Sequence, residues 1–184
     1  DIAKKIADKD SILVSTDSKK ILEIAKKNKV LAPWLRPKEL SSDKISSEKV
    51  IIHALNWFEK NVKKVNCLLL LQPTSPFRNK KSIERGLRLF KKYRNYSIIS
   101  LNKISSTYNL FYMNKKSYSL SNIVNQNNSY YKPNGSFYII DPKILKIKKT
   151  FYIKKLKGLV LKSQKENIDI DNFYDLKVAR SIRK

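Results

Sequence analysis

The chain has 184 residues, 41% of them hydrophobic, with 3 Gly and 6 Pro; that is enough for one well-cored domain and excludes collagen-like, low-complexity and wholly disordered chains. A single cysteine, Cys67, excludes a disulfide framework and a multi-cysteine zinc site, and no apolar run approaches the roughly 18 residues of a membrane-spanning helix. The net charge of +25 rests on 40 basic residues of which only 7 are Arg, so the lysines read first as a dispersed, solvated surface, and each Arg and each close carboxylate pair stands out against it.

The first ten residues, DIAKKIADKD, are charged and helix-like and lack the apolar core of a secretory leader, so the cytoplasm is the expected compartment. Residues 11–16 (SILVST) predict a short strand. Ile21, Leu22, Ile24 and Ala25 then recur at helical spacing behind a turn capped by Asp17 and Ser18. The Pro-bounded stretch 33–43 (PWLRPKELSSD) predicts an irregular loop. A second helix follows from about Ser46, with Val50, Ile51, Ala54, Leu55 and Phe58 on one face; His53 on that face reads as a core or boundary residue. CLLLL at 67–71 predicts a strand buried on both faces, as in the middle of a parallel sheet. A helix over about 80–93 carries Ile83, Leu87, Leu89 and Phe90, and SIISL (97–101) predicts the next strand. The polar stretch 103–135, rich in Asn, Ser and Tyr, has no helical period and predicts an inserted β-hairpin arm. Beyond it come a tight Asn-Gly turn feeding the strand in KPNGSFYII (132–140), a short helix after Asp141-Pro142, strands at 158–162 and 168–171 (IDID), and a last helix from about Asn172 to Arg183. Strands alternating with helices imply an α/β fold with a largely parallel sheet.

Ligands bind outside the carboxyl ends of such strands. At the end of the leucine strand sit Gln72, Thr74, Ser75 and Arg78, fixed by two prolines; the same residues also suit a plain helix-capping turn. Asp169 and Asp171, two apart on a strand, would share a face with about 6.6 Å of rise between them. Two carboxylates so placed call for a cation, and Mg²⁺, which takes one or two carboxylates plus phosphate oxygens, suits them; the other reading is that Asp171 caps the last helix. Arg36, near Asp43 in LRPKELSSD, presents a fork of donors for a phosphate or a base edge, or else is a solvated loop residue. Lys132 and Tyr138 flank the Asn-Gly turn. There is no Ser-His-Asp set and no glycine-rich phosphate loop. The competing class is a binding module for RNA or another anionic polymer, with the lysine surface and Tyr108, Phe111, Tyr112, Tyr118, Tyr130 and Tyr131 as a stacking platform.

VSTDSKKILEIAKK, LRPKELSSDKISS, LLLLQPTSPFR, KPNGSFYII and IDIDNFYDLKVA, in this order from about residue 11 to the C-terminus, resemble the ordered blocks of the acylneuraminate cytidylyltransferases, or CMP-sialic acid synthetases. The resemblance implies a single Rossmann-like nucleotidyltransferase domain over 1–184 and an arm at 103–135 that makes a homodimer. It implies transfer of CMP from CTP to a nonulosonic acid, with Mg²⁺ and release of pyrophosphate. By the same resemblance Arg36, the backbone at Ile45, and Ser47 hold the cytosine. Gln72, Thr74, Ser75 and Lys132 fall at the acceptor sugar, Tyr138, Phe151 and Tyr152 line the pocket for its acyl group, and Asp169 and Asp171 are the catalytic metal-site carboxylates. The family's opening strand and basic triphosphate loop match nothing in these residues, so the resemblance implies an N-terminally incomplete domain that alone binds CTP poorly and turns over negligibly, with a non-catalytic cytidylyltransferase fragment as a further alternative. Lys132 stands where relatives often carry Arg, and VNQNNSYY at 124–131 departs from the family pattern, which leaves N-acetylneuraminate, legionaminate and pseudaminate all open as acceptors. Nucleic acid and membrane are not expected partners on this reading.

Overall fold

A run of four leucines can be covered on both sides only if layers lie above and below it. The computed structural model describes residues 1–42, 44–104, 111–113, 116, 119–122 and 129–183. In it, β1 (Leu68–Leu70) sends Leu68 and Leu70 to one side and Cys67, Leu69 and Leu71 to the other, as the alternation of a strand requires. Helices α1 (Lys19–Lys27), α2 (Ser47–Asn61) and α3 (Lys80–Lys92) precede β2 (Ser97–Lys103). Beyond the short strands β3 (Phe111–Met113) and β4 (Leu120–Asn122) come β5 (Tyr131–Ile140), α4 (Pro142–Lys148), β6 (Leu156–Val160) and α5 (Phe173–Ile182).

The main sheet has the order β1-β5-β2-β6. Strands β1, β2 and β6 run the same way, and β5 lies reversed between β1 and β2, so only the β2–β6 pair is hydrogen-bonded in parallel. The sheet is therefore mixed, and β1, expected in its middle, is an edge strand with half-buried leucines. β3 and β4 form a separate antiparallel pair, Phe111 opposite Asn122, within the stretch expected to be an arm; residues 105–110, 114, 115, 117, 118 and 123–128 of that stretch lie outside the described residues.

On one side of the sheet, Ile83 and Phe90 of α3 meet Ile98, Phe137, Ile139 and Leu161, with Ile2 and Ile6 completing the cluster. The N-terminal segment reaches this cluster through a single 3-10 turn, Ala3–Lys5, where the charged sequence suggests a helix. On the other side α2 and α4 cover Leu68 and Leu70, packing Ile51, Ile52, Tyr138 and Ile144 around Ile140, Leu145 and Phe151. Ile83, Ile98, Phe137, Ile139, Ile140 and Leu145 are wholly enclosed, each contributing on the order of 1.5–3 kcal/mol from burial. The opposite flank of α2 carries His53 and Trp57 against Trp34, with ring centroids 5.5 and 4.8 Å away, which is the boundary packing expected of that histidine.

Three expected elements take another form. SILVST does not join the sheet; it meets the 31–35 segment only at the parallel bridges Leu13–Leu31 and Thr16–Leu35, because Pro33 between them brings no amide to a ladder. Residues 168–171 form no strand; the N–H of Ile170 donates to the carbonyl of Thr74 (2.8 Å), and Asn172 opens α5 in a capping box with Asp175. The Asn-Gly pair is not a tight turn. Residues 134–137 of one continuous strand, β5, lie opposite the single Ser100 of β2, making a bulge in which Gly135 has φ +71°. Asn134 sustains it: its Oδ1 accepts from the Ser100 hydroxyl (2.5 Å) and the Ser136 N–H (3.1 Å), and its amide donates to Asn102 Oδ1 (2.7 Å), all buried.

Gly86 faces the sheet from α3, where a Cβ would come within 2.7 Å of Phe137 Cε2 and 3.0 Å of Ile139 Cδ1. Gly86→Ala is expected to lose about 1–3 kcal/mol to overpacking, more than the roughly 1 kcal/mol gained in helix propensity; a lowered Tm checks it. The Lys146 ammonium donates to the Glu59 carboxylate, tying α4 to α2 and holding Glu59 below its usual range. That contribution is full above the unfolded carboxyl value of about 4.5 and fades as pH falls through the lower folded value. Urea titrations of Glu59→Gln are expected to show a loss of up to about 1 kcal/mol at neutral pH, with the gap from wild type closing in acid.

Candidate functional site

Three segments distant in sequence meet at the carboxyl end of β1. They are the loop 72–78, the β5 bulge and the residues that lead into α5. Gly135 stands between two side chains expected to act together: a Cβ on it would lie 3.0 Å from Asp169 Oδ2 and 3.2 Å from Gln72 Oε1. Thr74 joins the group through its carbonyl, which holds the Ile170 amide (2.8 Å). On the other side of Asp169, the buried carboxylate of Glu166 accepts from the Asn79 N–H (3.2 Å) and the Ser82 hydroxyl (3.0 Å), fastening the turn before Asp169 to the start of α3. Asp169 Oδ1 is buried and has no hydrogen-bond partner among the described residues; the hydroxyls of Ser75 and Ser136 are in the same condition.

Arg78 closes this arrangement. Its Nη1 donates to the carbonyl of Ser75 (2.6 Å), its Nη2 to the carbonyl of Gln72 and its Nε to the carbonyl of Ser136. Burial pushes the guanidinium down to about 10, with Asp169 opposing the shift, so it stays charged at neutral pH.

Next along β5, Tyr138 leads an aromatic wall, with the rings of Phe151 and Tyr152 at 5.2 and 6.5 Å. Burial pushes the Tyr138 phenol up, a hydrogen bond with Tyr152 adds to the shift, and the charges of Asp169 and Glu48 act in the same direction. Phe151, however, is 3% exposed and part of the core, whereas Tyr152 is 52% exposed and presents the free ring face. Glu48 belongs to the first turn of α2, so the start of that helix and the wall share one region. Ser47 is the exposed first residue of α2. A cleft of about 490 Å³ opens there, lined by Leu40, Ser46, Glu48, Lys49, Ile52 and Lys149.

Other expected site residues take different positions. Arg36 is held by Asp17 (2.9 Å), its own amide donates to Thr16 (2.7 Å), and its Nε is buried without a partner among the described residues; Asp43 lies outside the described residues. The Ile45 amide donates to the Ser42 carbonyl (3.0 Å), leaving only its carbonyl for recognition. Asp169 and Asp171 do not form the same-face pair of a strand: Asp169 is half-buried in the cluster, while Asp171 is exposed and its N–H donates to Asp175 (3.0 Å). Among the described residues no three Asp, Glu, His or Cys side chains gather as a ready-made metal site. Lys132 is exposed on β5, opposite Asn102. Of the aromatic stacking platform, Tyr108 and Tyr118 lie outside the described residues. The carbonyl grip of Arg78, the bulge at Gly135 and the Glu166 tether are not legible in the sequence; the one signal for them is an Arg in a chain whose basic residues are mostly Lys.

No protein-family model matches the chain. A CMP-N,N'-diacetyllegionaminic acid synthase from Legionella pneumophila is 34% identical over 176 residues, covering 90% of this chain and 75% of the relative. An N-acylneuraminate cytidylyltransferase from Escherichia coli is 29% identical over 187 residues, covering 95% of this chain but 42% of the relative, so the chain spans less than half of that protein's length. Among solved structures, 4-diphosphocytidyl-2C-methyl-D-erythritol synthase from Anaerococcus prevotii has a TM-score of 0.66 at 14% identity, covering 95% of this chain and 82% of that one. A CMP:2-keto-3-deoxy-manno-octonic acid synthetase complexed with CTP has a TM-score of 0.64 at 12% identity, covering 99% and 84%. At these identities the two structures establish the fold.

Gly135→Ala is expected to lower stability by about 1–2 kcal/mol for the positive φ alone and to force the Gln72 and Asp169 side chains apart. Thermal unfolding reads the first effect, and a crystal structure of the variant reads the second.

Proposed function

The chain belongs to the acylneuraminate cytidylyltransferase family, and we propose that it transfers CMP from CTP to a nonulosonic, sialic-type sugar acid, releasing pyrophosphate. The observation that carries this reading is the convergence of Gln72, Gly135 and Asp169 at the carboxyl end of β1 beside the wall of Tyr138 and Tyr152. A sugar acid needs polar groups for its hydroxyls and an apolar face for its acyl groups, and this end of the sheet supplies both.

In this reading the start of α2 and the preceding loop hold the cytosine, through Arg36, the Ile45 carbonyl and Ser47. Gln72, Thr74 and Ser75 face the acceptor, Lys132 lies at its edge, and the aromatic wall of Tyr138, Phe151 and Tyr152 receives its acyl group. Asp169, with Asp171 two residues on, is the candidate for Mg²⁺. The fit rests on the buried Asp169 oxygen that no donor among the described residues satisfies, and on the habit of Mg²⁺ to take one or two carboxylates and complete its shell with phosphate oxygens and water. When bound, Mg²⁺ would offset the charge that builds on the phosphate oxygens. The acceptor's anomeric oxygen bonds to the α-phosphorus as the bond to the β-phosphate oxygen breaks, and the protein's part is to hold the two reactants in line. The arm at 103–135 is read as the dimer contact. The acceptor is a member of the nonulosonic acids, with legionaminate and N-acetylneuraminate both in the test panel.

Pyrophosphate release from CTP and Mg²⁺ with that panel of acids, by the full-length protein that carries these residues, tests the reading; turnover is expected with at least one acid, and none with any would overturn it. Asp169→Asn is expected to reduce kcat by about 100-fold or more and to lose more than Asp171→Asn, with the Tm of both close to wild type. Equal losses in the two variants would mean that the buried and the exposed carboxylate serve alike.

A further inference from the structure

We propose that Arg78 is a positioning residue for the reaction, setting the separation of Gln72, Gly135 and Asp169 through the main chain; this inference rests on the function proposed above. Its three donor nitrogens grip carbonyls from two segments, Gln72 and Ser75 on the loop after β1 and Ser136 on the β5 bulge. The gripped residues bracket the site. One carbonyl belongs to Gln72 itself and another to the residue immediately after Gly135. A planar fork fixes the mutual placement of three acceptors at once, which an ammonium on a flexible stem does not.

The same geometry explains why Asp169 remains uncommitted. Arg78 is near enough to Asp169 for the two charges to act on each other, yet its donors are aimed at carbonyls, and Asp169 Oδ1 keeps no hydrogen-bond partner among the described residues. A guanidinium free to turn would form a bidentate pair with that carboxylate and occupy it. By anchoring Arg78, the three carbonyls keep the cation close as a source of field and leave the carboxylate open toward the substrates. Arg78 thus acts through Gln72, Gly135 and Asp169 and need not touch either substrate. Arg36, on the loop before α2, is instead held by the side chain of Asp17.

Arg78→Lys keeps the charge and removes the fork; Arg78→Met removes both. The Lys variant is expected to recover most of the Tm lost in the Met variant while recovering little activity. Its kcat/KM for the sugar acid should stay down by about 100-fold, the loss expected for a displacement near 1 Å, with the KM for CTP within about twofold of wild type. Recovery of activity in step with Tm, or an equal rise in both KM values, would overturn the proposal and leave Arg78 as a structural tie. A crystal structure of the Lys variant reads the same point without turnover: Gln72 and Gly135 should separate, and unchanged positions would overturn the inference. Lack of turnover by the wild type on every acid would instead strike the proposed function. Should the Lys variant fail to fold, side-chain NMR of the wild type still decides. A guanidinium held by three carbonyls gives separate, slowly exchanging Nη protons, and one averaged signal would show that the grip does not exist.

Discussion

Strand β5 carries residues 134–137 opposite one serine, and each backbone group that this bulge removes from the ladder must find another partner, because a buried unpaired group costs about 1–3 kcal/mol. The Ser136 N–H finds Asn134, the Phe137 N–H finds the Ser100 hydroxyl (2.9 Å), and the Ser136 carbonyl finds Arg78. These contacts satisfy the groups that the irregular strand frees, and the site follows from the irregularity. A continuous pairing of β2 with β5 would draw Gly135 back into the sheet, away from Gln72 and Asp169. The loop after β1 would then have no Ser136 carbonyl to share with Arg78.

Elements governed by local pattern were legible in the sequence. The leucine run was legible as a strand, but its place at the sheet edge, with its leucines half-buried, was not. The amphipathic α3 and the short helix after Asp141-Pro142 show their burial in their own spacing, and the structure packs them accordingly. The polar cluster at the strand end was legible for the same reason, since Gln72, Thr74 and Ser75 directly follow an apolar strand. What stayed hidden depends on partners far along the chain. Asn-Gly has the chemistry of a hairpin turn, and only Ser100 and Asn102, more than thirty residues earlier, turn it into a bulge. The Asp169–Asp171 spacing suggests a strand, and the carbonyl of Thr74 together with the Asn172 cap decides otherwise. SILVST has the residues of a strand, but Pro33 denies it a ladder. Arg78 is the intermediate case: the scarcity of Arg among so many Lys marks it as special, and its task is visible only once three carbonyls converge.

The charge distribution has a second role. The described lysines lie at the surface, fully or partly exposed, whereas the acidic groups are few and several are committed to Arg36, Lys146 or the start of α3. The molecule therefore carries a long-range positive field with little local pairing, which raises the encounter rate of a polyanion and weakens with salt. Steering of that kind brings a triphosphate near the protein without choosing its orientation. Orientation needs charge held in one fixed geometry, which dispersed lysines do not supply.

Cys67 lies on the α3 side of β1, packed with Leu69 and Leu71 against Ile83 and Phe90. Burial pushes its thiol up to about 11, so at neutral pH only about one molecule in ten thousand carries the reactive thiolate. In the folded protein this half-buried sulfur reacts slowly with alkylating reagents and oxidants. A rise in its alkylation rate above that slow baseline reports loosening of the edge strand against α3. The lone cysteine is thus a native probe of β1, the strand whose end carries Gln72, and no engineered label is required to read it.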